Sequence, residues 1–214
     1  MKGGYDFGDR LKSHTILAGE PLVRIHQSVK SPVWFGPAPS NPPANRFDAP
    51  GGQYRTLYAA TDLRGAYVET VLHRPAGRLV KRAYVEARSF STLRPTRDLT
   101  MAMLYGPGLI FHNAPAALGS GLDYNTSRAF ALALFEQFTD LDGLIYRSSH
   151  NDDELCVALF DRVKETALPI VETTPLLAVP DKIDAIMAAH GAAFDTSSPL
   201  PDLKDLSLEH ARVR

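Results

Sequence analysis

The stretch RTLYAATDLRGAYVETVLH, residues 55–73, changes its hydrophobic period in the middle. Up to Ala60 it alternates, with Leu57 and Ala59 on one side and Tyr58 and Ala60 on the other, which is the period of a strand. Thr61 or Asp62 then supplies a side-chain oxygen to cap a helix running to about His73. In that helix Leu63, Ala66, Tyr67, Val68, Val71 and Leu72 wrap most of the circumference, so burial on several sides is expected. Glu69 lies among them, and a carboxylate in such surroundings needs a partner or a function.

Upstream, residues 21–28 alternate again. Val23 and Ile25 face one way and Arg24 and His26 the other, as in a half-buried strand. Between the two strands, residues 31–52 carry six prolines and three glycines, too many for a helix or a central strand. They form a long loop, a kind of segment that often carries function in compact domains. Downstream the pattern predicts strands over 79–90, 143–147 and 155–163, a helix over 126–138 started by Asn125 or Thr126, and a helix over 181–190 closed by Gly191. Strands and helices intersperse without a steady βαβ rhythm, so the expected class is α+β. Residues 1–19 are expected to form an N-terminal arm, 20–195 the domain and 196–214 a C-terminal tail.

The 214 residues suit one well-buried core. Twenty-three Lys and Arg against 24 Asp and Glu provide no whole-chain field to attract nucleic acid or an anionic membrane. No signal-like segment and no window of 18 apolar residues occurs, which predicts a cytoplasmic protein without a membrane partner. The single cysteine, Cys156, sits in the apolar run LCVALF and reads as a buried thiol. P-loop, dinucleotide-fold, zinc and serine-hydrolase motifs are all missing, and no metal site is expected.

Several polar residues stand where small or apolar ones fit the pattern. Arg24 on its strand serves either a cross-strand ion pair or an anionic ligand. Arg46, which opens RFDAPGG at the end of the long loop, is a surface charge or a second anion ligand. Gly51 and Gly52 make a turn or permit close backbone approach. Tyr58 is a core tyrosine or an aromatic wall. Glu69 forms a salt bridge with an arginine or acts in chemistry. Ser148 and Ser149 end a strand or bind a phosphate. Trp34 and Phe35 anchor the loop or form a lid or partner surface.

Taken in order, RI at 24–25, RFDAPGG at 46–52, LYAA at 57–60, the helical Glu69, DGLIYRSS at 142–149 and LCVALF at 155–160 resemble the RES family, over about residues 21–160. The resemblance implies an ADP-ribosyltransferase-like α+β fold, with mixed and antiparallel sheets and flanking helices. It implies the toxin of a type II toxin–antitoxin pair, an enzyme that uses NAD as substrate and no metal. The nicotinamide N-glycosidic bond is broken and ADP-ribose passes to a protein, phosphate or water. The family pattern assigns catalysis to Glu69, Arg24 and Tyr58, and NAD contacts to Arg24, Arg46, Gly52, Tyr58, Ser148 and Ser149. The implied partner is a cognate Xre-like antitoxin that covers the cleft and binds operator DNA, so that nucleic acid is not bound directly.

Elementary chemistry agrees with those roles. Guanidinium groups hold a pyrophosphate by charge-assisted hydrogen bonds. A carboxylate stabilises the oxocarbenium-like ribose left as nicotinamide departs. An aromatic ring orients the flat leaving group. Many protein-modifying relatives of that fold carry an acid or glutamine two residues before the catalytic Glu. Here that residue is Tyr67, which argues against arginine-directed transfer. The rival reading is a metal-independent ribonuclease toxin using Arg24, His26 and Glu69 for acid–base chemistry.

Overall fold

A computed structural model describes residues 5–38, 40–73, 78–121 and 123–195. In chain order the elements begin with strands β1 (Ser13–Ile16), β2 (Leu22–Gln27) and β3 (Thr56–Ala60), and helix α1 (Leu63–Thr70). Strand β4 (Leu79–Lys81), helix α2 (Arg82–Glu86) and strands β5 (Arg88–Leu93) and β6 (Leu99–Leu104) follow. Helices α3 (Pro107–Phe111), α4 (Ala117–Ser120) and α5 (Tyr124–Gln137) lead to strands β7 (Gly143–Arg147), β8 (Leu155–Phe160) and β9 (Ile170–Pro175). Helix α6 (Pro180–Ala189) and strand β10 (Ala193–Asp195) complete the described chain.

Eight strands form one sheet in the order β1-β6-β7-β8-β3-β2-β5-β9, while β10 and β4 make a small parallel pair. Only β6 and β7 run parallel within the large sheet, and its other neighbours are antiparallel. The expected α+β class with mixed and antiparallel sheets is therefore found. The alternation of the strands sorts the core into two faces. Val23, Ile25, Phe90, Leu144, Tyr146 and Phe160 meet buried residues of α1, α2, α5 and α6 on one face. Leu22, Leu57, Leu93, Met101, Ile145 and Leu159 meet Val33 and Phe35 of the long loop, with Val163 and Leu168, on the other.

The strand-to-helix switch of residues 55–73 is present. Asp62 caps α1, its carboxylate accepting from the Gly65 N–H at 2.8 Å. The helix ends at Thr70, short of His73. The single strand expected over 79–90 is a correction. The segment bends into α2, which buries Val85 and donates the Ala87 N–H to the Ala83 carbonyl, and β5 begins at Arg88. Ala83, Tyr84 and Val85 are spaced for either period, and burial of Val85 in the core selects the helical one.

Part of the expected arm belongs to the sheet, since residues 13–16 pair with β6 and Ile16 is buried. Tyr5 and Phe7 each set an edge against the Phe130 ring at 5.0 Å. The expected C-terminal tail, 196–214, lies outside the described residues.

Gly143 opens β7 between Met101 and Leu159. A methyl group there would lie 2.3 Å from the Ala158 carbonyl oxygen, a main-chain atom fixed by both neighbouring strands. Gly143→Ala is expected to lower stability by about 2–3 kcal/mol. Urea denaturation should show a lower midpoint at an unchanged slope.

Candidate active site

Strand β2 pairs with β5 over six positions and β3 with β8 over five, yet β2 and β3 share the single pair Val23↔Ala60. Where they part lies a cavity of about 760 Å³, lined by Val23–Ile25 of one strand and by Thr56 and Tyr58–Ala60 of the other. That volume falls within the roughly 300–1,000 Å³ of pockets that enclose a ligand of this class. Arg46, Glu69, Tyr124, Arg128, Tyr146 and Ser149 also face it.

Glu69, on the last turn of α1, meets the segment that follows β7. The Ser148 hydroxyl donates to Glu69 Oε1 at 2.5 Å and the Ser149 N–H donates to the same atom at 3.1 Å. Ser148 is buried, and its oxygen accepts from the N–H groups of His150 and Asn151 at 3.1 and 3.3 Å. With its lone pairs used, the hydroxyl has its one proton for Glu69, which fixes the carboxylate's orientation. The salt bridge to Arg24 or Arg46 that sequence left open is not formed among the described residues. Ser148 thus supports Glu69 from behind, while Ser149 reaches the cavity.

Tyr58 lines the cavity with its ring and fastens the long loop with its hydroxyl, which donates to Asp48 Oδ1 at 2.9 Å and accepts from the Phe47 N–H at 3.0 Å. Burial, and next the Asp48 charge, push the phenol far above its ordinary pKa, so it stays protonated. Asp48, fully buried, also accepts from the N–H groups of Ala44 and Asn45 at 2.9 and 2.7 Å. This carboxylate shapes the loop that carries Arg46, a role that sequence reasoning did not assign.

The cations are held by carbonyls. Arg24 Nη1 donates to the Trp34 carbonyl at 3.1 Å, and Arg46 Nη1 donates to that of Gly121 at 2.6 Å. Arg128 donates to the carbonyls of Asn45 at 3.0 Å and Pro43 at 3.2 Å. Arg46 and Arg128 both lie over the Tyr124 ring, at 4.8 and 5.5 Å. None of the three forms an ion pair among the described residues. Desolvation pulls the Arg24 pKa down to about 10, which leaves it cationic at neutral pH. The cavity therefore presents Arg24, Arg46 and Arg128, unpaired with any carboxylate among the described residues, together with Arg88 and Glu69, to whatever enters.

Other expected residues lie elsewhere. His26 is buried, with one ring nitrogen against Ser91 Oγ and the other against the Gln27 carbonyl, both at 2.9 Å, and it does not line the cavity. Of the residues named for the ribonuclease reading, Arg24 and Glu69 line the cavity and His26 does not, while His73 and His150 do. Gly52 is also outside the lining, and its φ of +74° shows that a turn requires glycine there. Tyr67 is fully buried and lies away from the cavity. Tyr124 and Arg128 were missed, Tyr124 because the helix expected over 126–138 begins two residues earlier. From Asp123, the residue that caps α5, they are one turn apart on one face.

Among the described residues, no group of three or more His, Cys, Asp or Glu is placed to hold a metal ion. No described helix is long and apolar enough to cross a membrane.

Residues 21–180 match the family described as RES domain. The chain belongs to the RES family. No curated protein matches it. Among solved structures, a chain of the M. tuberculosis MbcT-MbcA toxin-antitoxin complex has the same fold as this RES chain. The TM-score is 0.63 at 15% identity, over 81% of this chain and 92% of that one. The cavity described above lies wholly within the matched RES residues.

Proposed function

We propose that this RES protein is the toxin of a toxin–antitoxin pair and that it breaks the nicotinamide N-glycosidic bond of NAD. The observation that carries the reading is a fixed carboxylate, Glu69, in a cavity where Arg24, Arg46 and Arg128 have no ion-pair partner among the described residues. A pyrophosphate brings two negative charges. Arg24, Arg46 and Arg128 meet those charges, and the nicotinamide ribose then falls to Glu69. As nicotinamide leaves, positive charge grows on that ribose next to an oriented carboxylate, so the stabilisation is greatest in the transition state. Ser148 and Ser149 keep the carboxylate aimed, and the Tyr58 ring forms a wall for the leaving group.

The neighbouring structure is that of a toxin–antitoxin complex, which supports a cognate antitoxin as partner here, and the family resemblance points to one of the Xre-like type. Such a partner covering the cavity would silence the enzyme and make any DNA contact indirect. Residues 20–195 form the unit that would act.

Incubation of the purified protein with NAD should release free nicotinamide, followed by chromatography. ADP-ribose then appears in solution if water is the acceptor, as its 1''-phosphate if phosphate is, and as label on a polypeptide in cell extract if protein is. NAD left intact under all three conditions overturns the proposal.

A further inference from the structure

The dipeptide Trp34-Phe35 splits in the fold. Phe35 is buried in the core, whereas the indole of Trp34 is 56% exposed and lines the cavity. Leaving the largest apolar side chain in water forgoes its burial energy, and the ring is nevertheless held firmly. Its carbonyl accepts from Arg24. Its six-membered ring lies on Gly36, where an added methyl group would come within 1.9 Å of it. Gly36 is itself tied to Thr56 of β3 by two main-chain hydrogen bonds of 3.1 Å. The absence of a side chain at Gly36 is thus what lets an aromatic plate lie at the rim of the cavity, anchored to β2 through Arg24 and to β3 through Gly36.

We infer that Trp34 is the stacking platform for the adenine ring of the dinucleotide. The inference rests on the NAD reading above and extends it to the other end of the ligand. Glu69 takes the nicotinamide ribose, and Arg24, bonded to the Trp34 main chain, takes the pyrophosphate. Beyond the pyrophosphate come the second ribose and then the purine, and the aromatic plate beside Arg24 is Trp34. Of the lining aromatics not given to nicotinamide, Tyr124 and Tyr84 already carry guanidinium groups over their rings and Tyr146 is buried against Phe47, whereas the Trp34 ring makes no aromatic or cation contact among the described residues. A flat base covering Trp34 removes apolar surface from water on both partners, and the plate needs no rearrangement to receive it.

Trp34 is the only tryptophan of the chain, so its emission reports on this site alone. The full-length protein is titrated with ADP-ribose, AMP and nicotinamide mononucleotide, with calorimetry as an independent measure of binding. ADP-ribose and AMP are expected to quench or shift the emission, and nicotinamide mononucleotide to leave it unchanged. Trp34→Ala should raise the KM for NAD about tenfold, within the range a stacked base contributes, at an unchanged kcat. Trp34→Tyr should recover most of that loss. Gly36→Ala, which displaces the ring, should behave like Trp34→Ala. An unaltered KM in Trp34→Ala, or an emission change with nicotinamide mononucleotide and none with AMP, overturns the inference. Heat from ADP-ribose binding with silent emission overturns it while leaving the NAD reading standing. NAD left intact by the parent protein overturns both.

Discussion

Glu69→Gln is expected to lower kcat for NAD cleavage by about 10²–10³-fold, the range seen when one group that stabilises transition-state charge is removed. Glutamine keeps the shape of the side chain, and its amide oxygen still accepts from the Ser148 hydroxyl and the Ser149 N–H, both of which now meet Oε1. What disappears is the negative charge beside the ribose, so the loss falls on kcat while the KM for NAD changes little. Nicotinamide release under saturating NAD, compared with the melting temperature of the same preparations, checks this. Full activity in a folded Glu69→Gln protein would remove the carboxylate from the chemistry.

Arg24→Met is the second large effect, and its two parts have opposite signs. The guanidinium is charged at neutral pH, and burial lowers its pKa from the ordinary arginine value to about 10. A cation whose folded pKa lies below its unfolded value destabilises the fold. The penalty is fully present at every pH below about 10 and is relieved only as pH rises through and above that value. The Trp34 carbonyl is the one hydrogen-bond acceptor holding the group, and no carboxylate pairs with it among the described residues. Methionine fills similar volume without charge, so the free protein should gain about 1–2 kcal/mol, as when other poorly compensated buried charges are replaced. The same substitution removes a charge-assisted contact to the pyrophosphate, and kcat/KM for NAD is expected to fall by about 10²-fold. Thermal unfolding and steady-state kinetics on one preparation test both parts. A variant that is less stable than the parent would mean that Arg24 serves the fold and not the ligand.

Local pattern carried far in this chain. The change of period at Thr61 and Asp62 located both β3 and the capped start of α1, and β7 was placed at both ends because Asp142-Gly143 before it and Ser148-Ser149 after it interrupt the apolar run. Arg24, Arg46, Tyr58, Glu69 and Ser149, drawn from five separate segments, do line one cavity. What stayed hidden depends on tertiary contacts. The burial of Ile16, which makes 13–16 a strand, is created by β6, about ninety residues away in sequence. The function of Asp48 rests on Tyr58, whose hydroxyl meets it only after the long loop has folded back. His26 shares the strand alternation of Arg24, and period alone could not tell that Ser91 of the neighbouring strand would engage it.

The single pair between β2 and β3 has a meaning beyond the residues around it. A hollow carved by side chains is at the mercy of each of them, since one bulkier neighbour fills it. This hollow is produced by main-chain spacing, because two groups of strands, β1-β6-β7-β8-β3 and β2-β5-β9, are stitched internally and joined at Val23↔Ala60. Its existence is therefore decoupled from the identity of its lining, and substitutions along the walls alter what the void accepts without closing it. An architecture of that kind keeps a receptacle while the amino acids around it change.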